Sequence, residues 1–96
     1  MGINKLHFSL PVSIIKEGKT FVAHTPVLDI STCADSLSEV KERFFELVEI
    51  FFEELEKKGT TQEVLESMGW QKVDSSWTAP VEVEHTIEDF EVPVLA

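Results

Sequence analysis

The chain has 96 residues, a length that predicts one domain. Its formal net charge of −10 disfavours binding to nucleic acid, which is itself a polyanion. The hydrophobic fraction of 43% is too high for a disordered chain, and the apolar runs, each a few residues long, are too short to span a membrane. The single cysteine, Cys33, cannot form an internal disulfide, which fits a reducing compartment. The N-terminal residues contain no cationic stretch followed by a long apolar run, so no signal peptide is predicted and a cytoplasmic location is expected.

Three strands are predicted in the first third of the chain. Apolar residues alternate over residues 3 to 15, the period of a half-buried strand, and Pro11 within it indicates either an edge strand or an outward-facing backbone nitrogen. The polar break at residues 16 to 19 contains a glycine and predicts a hairpin turn into a second strand at residues 20 to 24. Residues 27 to 34 are predicted as a loop and a short third strand, which completes an antiparallel meander.

Two helices are predicted next. Ser36 and Glu39 have the spacing of a capping box, and Gly59 is a natural helix stop. Between them an apolar stripe recurs at helical spacing, comprising Leu37, Val40, Phe44, Leu47, Val48, Phe51 and Leu55. Residues 60 to 63 repeat the capping-box form and predict a second helix, after which Trp70 is expected to fold back onto the core.

The remaining residues are predicted as a polar connection over residues 71 to 80 and a tail strand over residues 81 to 94, where apolar alternation returns. The tail is expected to be either one interrupted strand or two short ones. The predicted fold class is α+β, a small antiparallel sheet in the order β-β-β-α-α-β with a long helix packed on one face. Residues 1 to 96 are expected to form a single domain with its core over residues 3 to 70.

Acidic residues are unevenly distributed along the chain. Residues 36 to 66 hold nine glutamates and four basic residues, while residues 82 to 91 hold five acids and no lysine or arginine. The helix glutamates fall in a narrow sector opposite the apolar stripe, which makes them a candidate docking surface for a basic partner. The alternative is a solvated face that keeps the protein soluble. The candidate docking residues are Glu42, Glu46, Glu49, Glu53, Glu84, Glu88 and Glu91.

Phe45, Val48 and Phe52 widen the apolar face of the long helix. Phe45 and Phe52 lie seven residues apart and therefore share one line on the helix surface. These three residues are candidates for a homodimer interface, because exposed aromatic patches mark interfaces. The alternative is a broad core in a small protein.

No catalytic, metal or cofactor site is predicted. Two-metal nuclease chemistry needs clustered carboxylates, and only Asp29 and Asp35 lie in the strand region after residue 17. The three histidines, His7, His24 and His85, do not combine with Cys33 in a zinc-ligand spacing. A thiol nucleophile formed by Cys33 and His24 is the further possibility, against a buried, inert cysteine.

The order of these elements resembles the HicB family of antitoxins. The resemblance covers roughly residues 6 to 70, and it is carried by residues 21 to 32, 34 to 40, 55 to 59 and 60 to 70. The chain departs from the family pattern at Ala34, where family members have glycine, and around residues 28 to 31, where many have Leu-Pro-Gly-Cys.

The resemblance implies a partial ribonuclease H-like fold without catalytic activity. It also implies a partner, a small basic HicA-type toxin that cleaves messenger RNA and is blocked by occlusion, and a homodimer or higher homo-oligomer. Many family members carry a C-terminal DNA-binding module; none is expected here, because the sequence to Ala96 contains no basic helix-turn-helix or ribbon. A solitary homologue without a toxin and a weak residual hydrolase are the alternatives.

Overall fold

The computed structural model describes residues 7 to 95 and has an α+β fold, as the sequence predicts. A three-stranded antiparallel sheet comes first, a long helix packs on it, and a short helix and a two-stranded hairpin follow. In chain order the elements are β1 (Ser13–Glu17), β2 (Thr20–Thr25), β3 (Ile30–Ala34), α1 (Leu37–Lys58), α2 (Thr61–Ser67), β4 (Gln71–Val73) and β5 (Ser76–Thr78).

The large sheet has the order β1-β2-β3, with both pairings antiparallel. Gly18 has a φ of 62°, a left-handed conformation that suits glycine in the tight turn between β1 and β2. The register places Ala23 of β2 opposite Ile14 of β1 on one side and opposite Thr32 of β3 on the other, so these three residues share the face toward α1. The opposite face carries the row Ile15, Val22 and Cys33.

The first strand is shorter than predicted. Residues 3 to 6 of the predicted strand lie outside the described residues, and residues 7 to 12 are not in a strand. The pairing begins at Ser13, which lies opposite His24. Because β2 ends at Thr25 and Pro26 turns the chain away, residues upstream of Ser13 have no partner strand to extend the ladder.

The two ends of α1 form as the sequence predicts, with one difference. The Glu39 amide donates to Ser36 Oγ at 3.2 Å, and Gly59 closes the helix at a φ of 65° with its amide donating to the Glu56 carbonyl. The Glu39 carboxylate, however, accepts from Arg43 Nη2 at 2.7 Å, so it holds an ion pair one turn on. Helix capping here therefore comes from the serine.

The second predicted capping box does not form. Thr60 precedes α2 but makes no side-chain cap hydrogen bond, and its ψ of 10° departs from the extended backbone that an N-cap needs. Thr60 cannot cap α2 because it directly follows Gly59 and takes part in the end of α1. Its amide donates to the Leu55 carbonyl at 3.0 Å. Thr61 Oγ1 instead donates to the Glu56 carboxylate at 2.6 Å.

The core lies between the sheet and α1. Trp70 folds back onto it as predicted, and its indole N–H donates to the Val27 carbonyl at 2.9 Å. The ring of Phe8 lies 4.6 Å from that of Phe52 and 5.7 Å from that of Trp70, measured between centroids. The buried hydrophobic residues are Ala23, Leu28, Ala34, Val40, Phe44, Val48, Phe52, Leu55, Leu65, Trp70 and Trp77.

The prediction of a polar connection over residues 71 to 80 is wrong, because residues 71 to 78 form a hairpin. β4 and β5 pair antiparallel around Asp74, which has a φ of 57°, a conformation that aspartate tolerates in turns. Trp77 is buried, and the Lys72 ammonium lies 6.0 Å from the centre of its ring. The hairpin therefore brings an aromatic anchor to the core.

The predicted tail strand over residues 81 to 94 does not form either: residues 79 to 95 contain no strand or helix. The tail leaves the domain beside residues 7 to 11, with which its first residues line a shallow cleft. Its alternating sequence pairs with no strand among residues 7 to 95, so its backbone groups are left to water.

Candidate docking site

One groove in the described part of the chain combines an apolar floor with a charged rim. It runs between one flank of α1 and the β4–β5 hairpin. Four apolar side chains form the floor, namely Phe8, Val48, Phe52 and Trp77, and the polar lining comprises Glu49, Glu53, Glu56, Lys57, Lys72 and Ser75. An apolar centre inside a polar rim is the arrangement of a protein-docking surface.

The floor is held in place by the packing beneath it. Phe52 is 9% exposed, and its ring contacts those of Phe8, Phe51 and Trp70. Trp70 is in turn fixed by its hydrogen bond to the Val27 carbonyl. The aromatic cluster therefore presents a preorganised surface, and little side-chain entropy is lost when a partner covers it.

The rim on the α1 side is acidic because glutamates recur at helical spacing. Glu49, Glu53 and Glu56 lie three and four residues apart, so they project from one side of the helix along the groove. Like charges at this spacing repel each other, and a basic partner relieves that repulsion. Lys57 and Lys72 also line the groove and offset part of the charge.

The predicted docking residues divide into two groups. Glu42, Glu46, Glu49 and Glu53 are all exposed on α1, and the last two line the groove. Glu84, Glu88 and Glu91 lie in the exposed tail and do not line the groove. Of the predicted docking residues, the groove therefore includes Glu49 and Glu53, whereas Glu42, Glu46 and the tail glutamates are not part of its lining.

The three residues predicted as a dimer interface also have different positions. Val48 and Phe52 are each 9% exposed and belong to the core, with one flank on the groove floor. Phe45 is 68% exposed and continues the same line of α1 beyond the groove. The broad-core interpretation thus holds for Val48 and Phe52, and Phe45 is the member available to a partner.

Phe8, Trp77 and Lys72 line the groove but were not predicted as site residues. Phe8 packs on Phe52, and Trp77 lines the same groove, each from a distant part of the chain, so no local pattern marks them. The available signal was Trp77 itself, since a tryptophan in a polar stretch, two residues after Asp74-Ser75, is typical of a hairpin anchored to a core.

Of the residues considered for catalysis or metal binding, His24 and Asp29 form one close pair. Asp29 is exposed in the turn before β3, where its Oδ1 lies 3.8 Å from His24 Nε2, and Asp35 is exposed in the bend before α1. Cys33 is exposed, so the expectation of a buried cysteine is wrong. Among residues 7 to 95, no three His, Cys, Asp or Glu side chains are grouped so that they could hold a metal ion.

No protein-family model, curated protein or solved structure matches this chain. Over residues 7 to 95, neither helix combines the length and the apolar character that crossing a membrane requires.

Proposed function

We propose that the chain is an antitoxin-type binding domain, similar to HicB, that blocks a small basic HicA-type toxin by covering it. The observation that carries this proposal is the groove of α1 and the β4–β5 hairpin, with its aromatic floor and glutamate rim. The floor supplies apolar contact area, and the rim steers and orients a basic surface.

The charge of the whole protein supports a basic partner. The net charge of −10 raises the rate at which a cationic protein encounters this surface, and the glutamates of α1 concentrate that field beside the groove. The same charge repels messenger RNA, so the chain competes with RNA for the toxin and does not bind the RNA itself. Occlusion requires no catalytic group on this chain.

The test measures whether the chain inhibits the messenger RNA cleavage catalysed by its proposed partner, a HicA-type toxin expected to be encoded by an adjacent gene. The purified chain is expected to abolish cleavage at one equivalent. The variant Glu49→Lys/Glu53→Lys reverses two rim charges and is expected to need about tenfold more protein for the same inhibition, since each rim contact contributes about 0.5–1 kcal/mol.

The matched control is Glu63→Lys/Glu66→Lys, which makes the same charge change on exposed residues of α2 outside the groove. The control is expected to inhibit within about threefold of the unmodified chain. Equal loss in both variants would show that overall charge acts without the groove. The lack of any adjacent gene for a short basic protein would contradict the choice of partner.

A stand-alone homo-oligomer is the second candidate function, and exposed Phe45 favours it. A phenylalanine that is 68% exposed on a helix otherwise packed on its own sheet is a natural contact for another copy. The variant Phe45→Ser distinguishes the two candidate functions. It is expected to dissociate an oligomer that forms through α1. If the groove is the docking site, the variant is expected to inhibit the toxin within about threefold of the unmodified chain.

A further inference from the structure

The groove lies between two walls that carry opposite charges, the flank of α1 and the β4–β5 hairpin. Glu49 and Glu53 line the α1 wall, and Lys72 lines the hairpin wall. None of these three side chains takes part in an ion pair among residues 7 to 95. Even Glu53 and Lys57, which have the four-residue spacing of a helical ion pair, are not paired with each other. Both walls therefore hold charges that a partner can pair.

The hairpin turns a face, and not an edge, toward the groove. Lys72 of β4 lies directly opposite Trp77 of β5, so the two side chains share one face of the hairpin, and both line the groove. The unpaired N–H and C=O groups of a hairpin lie in the plane of its strands, along its outer edges. The other wall, α1, pairs its backbone groups internally. Both walls therefore present side chains to an occupant, rather than backbone hydrogen-bond groups.

An occupant of this groove has to satisfy its own backbone. An extended segment buried between these walls would leave its N–H and C=O groups without partners, which is costly in an apolar setting. An α-helix pairs those groups internally and offers only side chains to its surroundings. Helices dock in grooves of this kind through an apolar stripe at positions i, i+3, i+4 and i+7. The lining of the groove thus favours a helix over a strand.

The groove has the size of a short helix. Its α1 wall runs from Val48 to Lys57, a distance of about 14 Å at 1.5 Å per residue, which is about two and a half turns. A helix of that length and of about 10–12 Å diameter occupies roughly 1,100–1,500 Å³. The groove has a volume of about 1230 Å³. A helical segment of about ten residues therefore fills it.

The charge of the α1 wall argues against a segment of this protein as the occupant. The exposed apolar segment over residues 81 to 95 contains five acidic residues and neither lysine nor arginine. Its approach would place these acids beside Glu49 and Glu53, and like charges held close together repel. A second copy of the chain brings a further net charge of −10. The wall therefore selects a basic helix from a different protein.

We propose that the groove binds one amphipathic helix of the partner, about two and a half turns long, whose apolar stripe rests on the aromatic floor. Lysine or arginine residues on one flank of that helix face Glu49 and Glu53, and an acidic residue on its other flank faces Lys72. The inference rests on the proposed function for the identity of the partner, and it specifies which kind of element the partner inserts.

The experiment is an NMR titration of the isotope-labelled full chain with two synthetic peptides of identical composition. The striped peptide has leucines at i, i+3, i+4 and i+7, lysines on one flank and an equal number of glutamates on the other. The alternating peptide has the same residues arranged with the period of a strand. Neither peptide has a net charge from its side chains, so the overall charge of the chain favours neither of them.

The striped peptide is expected to bind at least tenfold more tightly than the alternating peptide. Its binding is expected to shift the amide resonances of residues 48 to 57 and 72 to 77, which include the lining of both walls. When the striped peptide is labelled instead, its bound Cα resonances are expected to have helical shifts. These two readouts report the place of binding and the conformation of the occupant separately.

Two matched variants test the charge of the hairpin wall. Lys72→Glu reverses that charge, and Lys41→Glu makes the same change at an exposed position of α1 outside the groove. Lys72→Glu is expected to raise the Kd of the striped peptide about fivefold, and Lys41→Glu to change it less than twofold. The amide spectrum of each variant checks that the fold is intact. Equal effects of the two variants would overturn the pairing with Lys72.

An alternating peptide that binds in the groove as tightly as the striped one, or a striped peptide that binds in an extended form, would overturn the proposal. Shifts confined to residues outside the groove, or no binding at about 1 mM peptide, would overturn it as well. Groove resonances that move when the chain alone is diluted would assign the groove to a second copy. Inhibition of a HicA-type toxin by a chain without preference for the striped peptide would remove this inference and leave the proposed function. Preference for the striped peptide without toxin inhibition would do the reverse.

Discussion

Thr25→Val is expected to stabilise the protein. Thr25 is fully buried on β2, opposite Ile30 in β3, on the sheet face that packs against α1. Its Oγ1 has no hydrogen-bond partner among residues 7 to 95. Valine has nearly the same shape as threonine, so the substitution replaces a desolvated hydroxyl with a methyl group of similar size.

The magnitude follows from two contributions. Relieving an unsatisfied buried hydroxyl is worth about 1 kcal/mol at the low end of measured values. Burial of the added methyl group contributes up to about 0.8 kcal/mol more. The free energy of unfolding is therefore expected to rise by about 1–2 kcal/mol, which corresponds to a Tm higher by about 5–10 °C in a domain of this size.

The assay is urea unfolding at 25 °C followed by circular dichroism. The midpoint is expected to rise with an unchanged slope, since the surface exposed on unfolding is the same. Thr78→Val, at an exposed position of β5, is the control and is expected to stay within about 0.5 kcal/mol. A loss of stability in Thr25→Val would refute the reasoning, because it would mean that the hydroxyl has a partner in the folded protein.

Two further substitutions test single contacts. Ser36→Ala removes the side-chain acceptor of the Glu39 amide and is expected to lower the free energy of unfolding, measured by urea titration, by about 1 kcal/mol. An unchanged midpoint would show that the cap does not contribute to stability. Trp70→Phe leaves the Val27 carbonyl without its indole donor and is expected to lower the free energy of unfolding by about 1–3 kcal/mol. The slope of the urea titration is expected to stay constant. Stability equal to that of the unmodified chain would contradict the role of this hydrogen bond.

The elements with a strong local period could be predicted from the sequence. α1 begins beside Ser36 and ends before Gly59 as its caps and apolar stripe indicate. β2 likewise falls within one residue of its predicted end, because Pro26 bounds it. Where two signals compete for the same residue, prediction failed: Thr60 completes the end of α1, so it is not the N-cap of α2.

The elements that depend on distant contacts could not be predicted. The β4–β5 hairpin was missed because its strands have three residues each, too few to show a period. The tail has a strand pattern, but a pattern specifies only that a strand could form, and pairing also needs a free edge within reach. For the groove, the glutamates were visible as a helical sector, whereas Phe8 and Trp77 reach the floor only through the tertiary fold.

The role of the groove is tested most directly by calorimetric titration of a HicA-type toxin, the proposed partner, into the chain and into Glu49→Lys/Glu53→Lys, each at 0.1 and 0.4 M salt. Docking in the groove predicts a one-to-one complex of the unmodified chain that weakens as salt rises, and a Kd about tenfold higher for the variant. A variant that binds as tightly as the unmodified chain, at both salt concentrations, would contradict docking at this groove.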